Sequence, residues 1–97
     1  MVDWGGFDWD DGNSDKNLVH GVSDDEIEEV FLNEEHRLLV RYLGDQRGEP
    51  RYRALGRADA GRYLFVAFTF RRRDGTRLIR PISARDMTPS ERRQYTT

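Results

Sequence analysis

Cysteine is absent from these 97 residues, which rules out a disulfide framework, a thiolate nucleophile and a thiolate metal site, and suits a reducing compartment. Lysine is nearly absent too: Lys16 stands alone against fifteen arginines. The two histidines, His20 and His36, lie too far apart to form a metal-ligand motif, and neither a metal nor another cofactor is expected. No apolar run approaches the roughly 20 residues of a membrane span. The opening MVDWGGFDWDD has neither the basic nor the apolar segment of a secretion signal. A soluble cytoplasmic protein is the expectation. With 36% hydrophobic and 35% charged residues, the chain can fill a thin core beneath a highly charged surface. This length suits one domain, 1–97, with 1–6 read as a flexible tail jointed at Gly5-Gly6.

What is present is divided by sign. Up to His36 there are twelve acids against Lys16; from Arg37 onward there are fifteen arginines against six acids. Such asymmetry suggests a partner for the basic part. Arginine offers a flat fork that grips phosphate at two points and stacks on bases, so its dominance suits RNA contact. A genomic preference for arginine codons explains the ratio about equally well, so position has to carry the argument.

Ser23 followed by Glu26 is a capping box for a helix whose Ile27, Val30 and Phe31 form one apolar face. A shorter helix is expected over 14–19, and the alternation of Phe7 and Trp9 with Asp8 and Asp10 reads as a short edge strand. Strand patterns follow at 37–43, 51–57, 63–71 and 77–84, separated by loops at 44–50 and 58–61 and by the hairpin turn Asp74-Gly75. The third strand is apolar on both sides and is expected to be central and covered on both faces. Pro81 cannot donate to a ladder, so the fourth strand is an edge or bulges there. Thr88, Pro89 and Glu91 then start a terminal helix. The sum is an α+β domain of two N-terminal helices, a four-stranded antiparallel sheet and a C-terminal helix.

Four stretches in this order carry a resemblance. They are Phe7-Asp8-Trp9-Asp10 with Asn13, Lys16 and Asn17; His20-Gly21-Val22-Ser23 before Glu28-Glu29-Val30-Phe31; Arg51-Tyr52-Arg53-Ala54-Leu55-Gly56-Arg57 before Gly61-Arg62; and Ile82-Ser83-Ala84-Arg85 before a short basic helix. Together they make the chain, from Phe7 to Tyr95, resemble the BrnT-like toxins, small ribonucleases of bacterial toxin–antitoxin pairs. The resemblance implies a RelE/ParE-type architecture and metal-independent cleavage of mRNA. It also implies a cognate BrnA-like antitoxin of ribbon-helix-helix type, through which alone promoter DNA would be bound. Two positions depart from the pattern: Val19 stands where a lysine usually precedes His-Gly, and Pro81 replaces a β-branched residue. The alternative expectation is therefore a binding protein that engages antitoxin or RNA with weakened cleavage.

Metal-free RNA cleavage needs a group to take the 2′-hydroxyl proton, cationic donors for the phosphate and an acid for the leaving 5′-oxygen. Arg51 and Arg53 alternate along one strand and share a face; with Arg80 and Arg85 they supply the donors if the two faces coincide. Any one of these arginines alone is more simply a solubilising residue or a partner for Glu34, Glu35 or Glu49. The resemblance places His20 at the proton-transfer position, although it equally suits packing the turn before Ser23. The resemblance puts Lys16 at a basic position of the first helix and implies a phosphate contact; the alternative is an exposed partner of Asp11 or Asp15. Arg92 and Tyr95 on the last helix are RNA or antitoxin contacts, with Tyr95 the alternative to His20 for moving protons, although terminal basic residues often simply complement the helix dipole.

Overall fold

Alternating apolar residues and two tight turns fold the second half of the chain into one antiparallel sheet. A computed structural model describes residues 4–97, with β1 at Leu39–Gln46, β2 at Glu49–Arg57, β3 at Tyr63–Arg73 and β4 at Thr76–Asp86, in the order β1-β2-β3-β4. Asp74 and Gly75, at φ 51° and 78°, make the hairpin between β3 and β4, as their sequence predicts. On one face Leu64, Val66 and Phe68 are fully buried beneath α1, Asp24–Leu32, which contributes Ile27, Val30 and Phe31. The Ser23–Glu26 capping box is formed. Gly56 lets α1 lie close, because a Cβ there would meet Val30 Cγ1 at 2.8 Å. The helix on the other face is α2, Pro89–Thr96, whose Thr88–Glu91 capping box is also formed.

The expected coverage of β3 on both faces is therefore only half realised. Phe65 and Ala67 remain partly exposed on the α2 side, because an eight-residue helix cannot span a sheet face. Pro81 lies where β4 bulges: Phe68 pairs with Pro81 and Ala67 with Ser83, which leaves Ile82 as the extra residue.

Four further expectations change. The helix over 14–19 is a 3-10 turn, Lys16–His20, so two α-helices frame the sheet and only one of them is N-terminal. Asp15 enters that turn at φ 59° with no side-chain cap and Gly21 leaves it at φ 71°, and neither end lets it lengthen. The tail expected over 1–6 is engaged at its inner end, while 1–3 lie outside the described residues. The Gly5 amide donates to the Arg77 carbonyl at 2.8 Å, and the Trp4 ring packs 5.2 Å from Phe7. Phe7 makes one parallel bridge to Ile79 in place of the expected strand. Lastly, the loop at 44–50 shrinks to Arg47-Gly48, at φ 53° and 78°, and strand pairing runs through the rest after a bulge between Tyr42 and Gly44. None of the helices among the described residues is long and apolar enough to cross a membrane.

Candidate functional site

The α2 helix crosses the strands and covers one half of its sheet face. Glu91 reaches Arg85 on β4, Arg92 lies 3.9 Å over the Tyr63 ring at the start of β3, and Gln94 accepts from Arg53 on β2 at 2.9 Å. Tyr95 donates its hydroxyl to the Arg37 carbonyl at 2.6 Å just before β1. Tyr95 is thus 5% exposed and packs as an anchor of α2, and burial pushes its phenol pKa up.

Strand register sets the arginines of this face in rows. Arg53 faces Ala67, which faces Ser83. One step along, Arg51 and Arg80 flank Thr69, whose hydroxyl donates to the Pro50 carbonyl at 2.6 Å. The two faces named from the sequence therefore coincide. Between them opens a cleft of about 180 Å³, walled by Arg51, Thr69, Arg80, Glu49 and Arg71 and by Gly12 and Asn13 of the N-terminal segment.

The guanidinium groups differ sharply in what occupies them. Arg51 and Arg53 pair with no carboxylate among the described residues, and the Nε of each is buried without a hydrogen-bond partner. Of the two, only Arg51 lines the cleft; Arg53 is 8% exposed and its Nη2 donates to Gln94 of α2. Arg80 is engaged from behind by Asp10, at 2.9 and 3.0 Å, and by Asp8 at 3.2 Å. Arg85 is closed by Glu91 at 2.7 and 3.0 Å and lies 4.0 Å over the Phe65 ring, so it braces α2. Arg71 holds Glu49 at 2.9 Å, which makes Glu49 the carboxylate on the cleft wall.

These pairs shift the ionisations. Burial pushes the Asp8 carboxyl up, but Arg73 and Arg80 outweigh it and hold the group below the ordinary carboxylate value. The Arg80 fork and the Gly12 amide hold Asp10 low as well, and the Asp10 hydrogen bonds raise Arg80 in turn. Glu91 is lowered chiefly by its bond to Arg85.

His20 and Lys16 stand apart from this cleft. Both are exposed on the 3-10 turn that lies along β4, which the Asn17 side chain fixes by accepting the Ala84 amide at 2.8 Å. The carbonyls of His20 and Gly21 meet Arg62, which pairs with Asp86 opposite Leu64. Arg80 sits opposite Thr69, five residues along β3, a separation of about 17 Å at the rise of an antiparallel strand. Arg51 and Arg80 are thus brought together in the cleft, Arg53 and Arg85 are engaged by α2, and His20, Lys16 and Arg92 lie outside the cleft lining. Among the described residues no three histidine or carboxylate side chains converge as metal ligands would.

Sequence reasoning missed the acids that hold Arg80. The alternation of Phe7 and Trp9 with Asp8 and Asp10 does place both carboxylates on one side of an extended segment, but only the fold brings that side to Arg80.

A search of curated proteins gave no match. The family model described as "Ribonuclease toxin, BrnT, of type II toxin-antitoxin system" matches residues 9–91, a span that contains every residue lining the arginine cleft. The chain belongs to the BrnT family of ribonuclease toxins of type II toxin–antitoxin systems.

Proposed function

We propose that the protein is a metal-independent endoribonuclease that cuts cytoplasmic mRNA in the Arg51–Arg80 cleft and arrests growth unless its antitoxin covers that face. The observation that carries this reading is Arg51, which pairs with no carboxylate among the described residues and shares one open cleft with Arg80 and Thr69. The phosphate of a single-stranded RNA supplies an acceptor for these two guanidinium groups. Glu49 takes the 2′-hydroxyl proton as the oxygen bonds to phosphorus. The bond to the 5′-oxygen then breaks, and that oxygen picks up a proton from solvent. The arginines stabilise the charge gathering on the phosphate.

Membership in a type II system implies an antitoxin partner. A ribbon-helix-helix antitoxin of the BrnA kind fits this role, binding promoter DNA through its own domain while an acidic segment lies over the basic face. The antiparallel sheet with α1 on one side and α2 on the other supports a variant of the RelE/ParE ribonuclease architecture.

Binding without cleavage is the second reading, favoured by the occupied forks of Arg80 and Arg85 and by the departure at Val19, which is 83% exposed. Protein freed of antitoxin and incubated with RNA in EDTA separates the two. Cleavage that Arg51→Ala removes is the expected result; intact RNA from a folded preparation that still binds it would favour the second.

A further inference from the structure

We infer that Asp8 and Asp10 are positioning residues for Arg80 that decide which edge of its guanidinium meets the RNA phosphate, an inference that rests on the cleft reading above. A guanidinium has five N–H donors arranged on three edges. Asp10 takes the end edge with both oxygens, Oδ2 to Nη1 at 2.9 Å and Oδ1 to Nη2 at 3.0 Å. Asp8 Oδ2 takes the outer side of Nη1 at 3.2 Å. What remains is the side edge, the Nε hydrogen and the outer Nη2 hydrogen, with no partner among the described residues. That edge is a two-point donor of the kind that matches a phosphate.

The acids are themselves held. Asp8 is 5% exposed, its other oxygen accepts from Arg73 Nε at 2.8 Å, and its amide donates to the Ile79 carbonyl at 2.8 Å. Asp10 accepts from the Gly12 amide at 2.7 Å, and Asn13 clamps the segment to β4 through the Asp8 and Pro81 carbonyls, both at 2.9 Å. Gly12 leaves room for the Asp10–Arg80 pair, since a Cβ there would lie 3.0 Å from Asp10 Oδ1 and 3.1 Å from Arg80 Nη2. With its side chain only 14% exposed, Arg80 cannot turn without breaking this frame.

The opposite role for the same acids is masking, in which they compete with RNA for Arg80. Kinetics distinguishes the two. Cleavage of a short RNA by the antitoxin-free protein is compared for wild type, Asp8→Asn, Asp10→Asn, Asp10→Glu, Arg80→Ala, Arg51→Ala and the double variant Asp10→Asn/Arg80→Ala. Positioning predicts that Asp10→Asn lowers kcat roughly 10- to 100-fold with KM little changed, as expected when a reacting group is displaced by about 1 Å. Asp8→Asn should fall in the same direction, and Asp10→Glu should recover part of the loss. Asp10→Asn should add nothing once Arg80 is gone.

A rise in rate or in RNA affinity on Asp10→Asn would establish masking and overturn the inference, as would a full additional loss in the double variant. Loss in Arg80→Ala without loss in Asp10→Asn overturns the inference and leaves the cleft reading standing. Wild-type cleavage by both Arg80→Ala and Arg51→Ala overturns the two together.

Discussion

Arg85 and Glu91 grip each other at two points, Nη1 to Oε1 at 2.7 Å and Nη2 to Oε2 at 3.0 Å, and the same Glu91 carboxylate accepts the Thr88 amide that opens α2. One carboxylate thus fixes both the helix start and the arginine below it. Replacing Glu91 with alanine removes the cap and the pair together and should cost about 1 to 2 kcal/mol. Arg85→Ala should cost about 1 kcal/mol, since its side chain is 41% exposed and solvent screens the pair. Urea unfolding checks both values. Arg85→Ala should also lower cleavage far less than Arg51→Ala; equal losses would return Arg85 to the phosphate.

Arg51 should trade stability for activity. Its buried Nε finds no acceptor in the free protein, and no carboxylate among the described residues would be orphaned by its removal. Arg51→Met keeps the length and apolar stem of the side chain and deletes the unmatched donor, so the variant should be more stable by about 1 kcal/mol. Cleavage should fall roughly 100- to 1,000-fold, the usual loss for a donor aimed at transition-state charge. Arg51→Lys keeps the charge without the fork and should recover little. A less stable but active Arg51→Met would place the phosphate elsewhere.

Local signals were legible wherever a few neighbouring residues decide the structure. The boxes at Ser23–Glu26 and Thr88–Glu91 formed, Asp74-Gly75 turned, and Pro81 fell at a bulge of an edge strand. The alternation of Arg51 with Arg53 correctly put both on one face, and strand register then brought Arg80 to the same cleft. The failures are those of tertiary context. The residues at 44–50 read as a loop from Gly44, Gly48 and Pro50, yet pairing with β2 pulls most of them into strand. Tyr95 reads as an exposed aromatic near a terminus, but α2 folds back and buries it against Tyr63. No spacing in the sequence announces that Asp8 and Asp10 meet an arginine some seventy positions away.

Acid should weaken the fold through those pairs. Asp8, Asp86 and Glu91 all have carboxyl pKa values below the ordinary range, so they contribute stability that is fully present above the unfolded-state values near pH 4 and is lost as the pH falls through the lower folded-state values. The urea midpoint should therefore be flat from pH 7 to about 5 and drop steeply below about 4. Asp8→Asn should lower stability at pH 7 by about 2 kcal/mol and make the acid drop shallower. An unchanged acid slope in that variant would mean that Asp8 gains nothing from Arg73 and Arg80.

Proton transfer should separate Glu49 from His20. Glu49 lines the cleft, held by Arg71 at 2.9 Å, whereas His20 is exposed at the far end of β4. Glu49→Gln keeps the shape of the wall and removes the proton acceptor, so kcat should fall about 100-fold or more while RNA affinity holds or rises slightly with the loss of a negative charge. Stability should change little, because the Arg71 side chain is 41% exposed and can be solvated when its partner is neutral. His20→Ala should keep kcat within about threefold, since a general base has to stand within hydrogen-bond reach of the proton it takes, about 3 Å. Single-turnover cleavage of a defined RNA measures both. A large loss in His20→Ala with full activity in Glu49→Gln would mean that the RNA crosses β4 toward the 3-10 turn and that the reacting phosphate sits outside the arginine cleft.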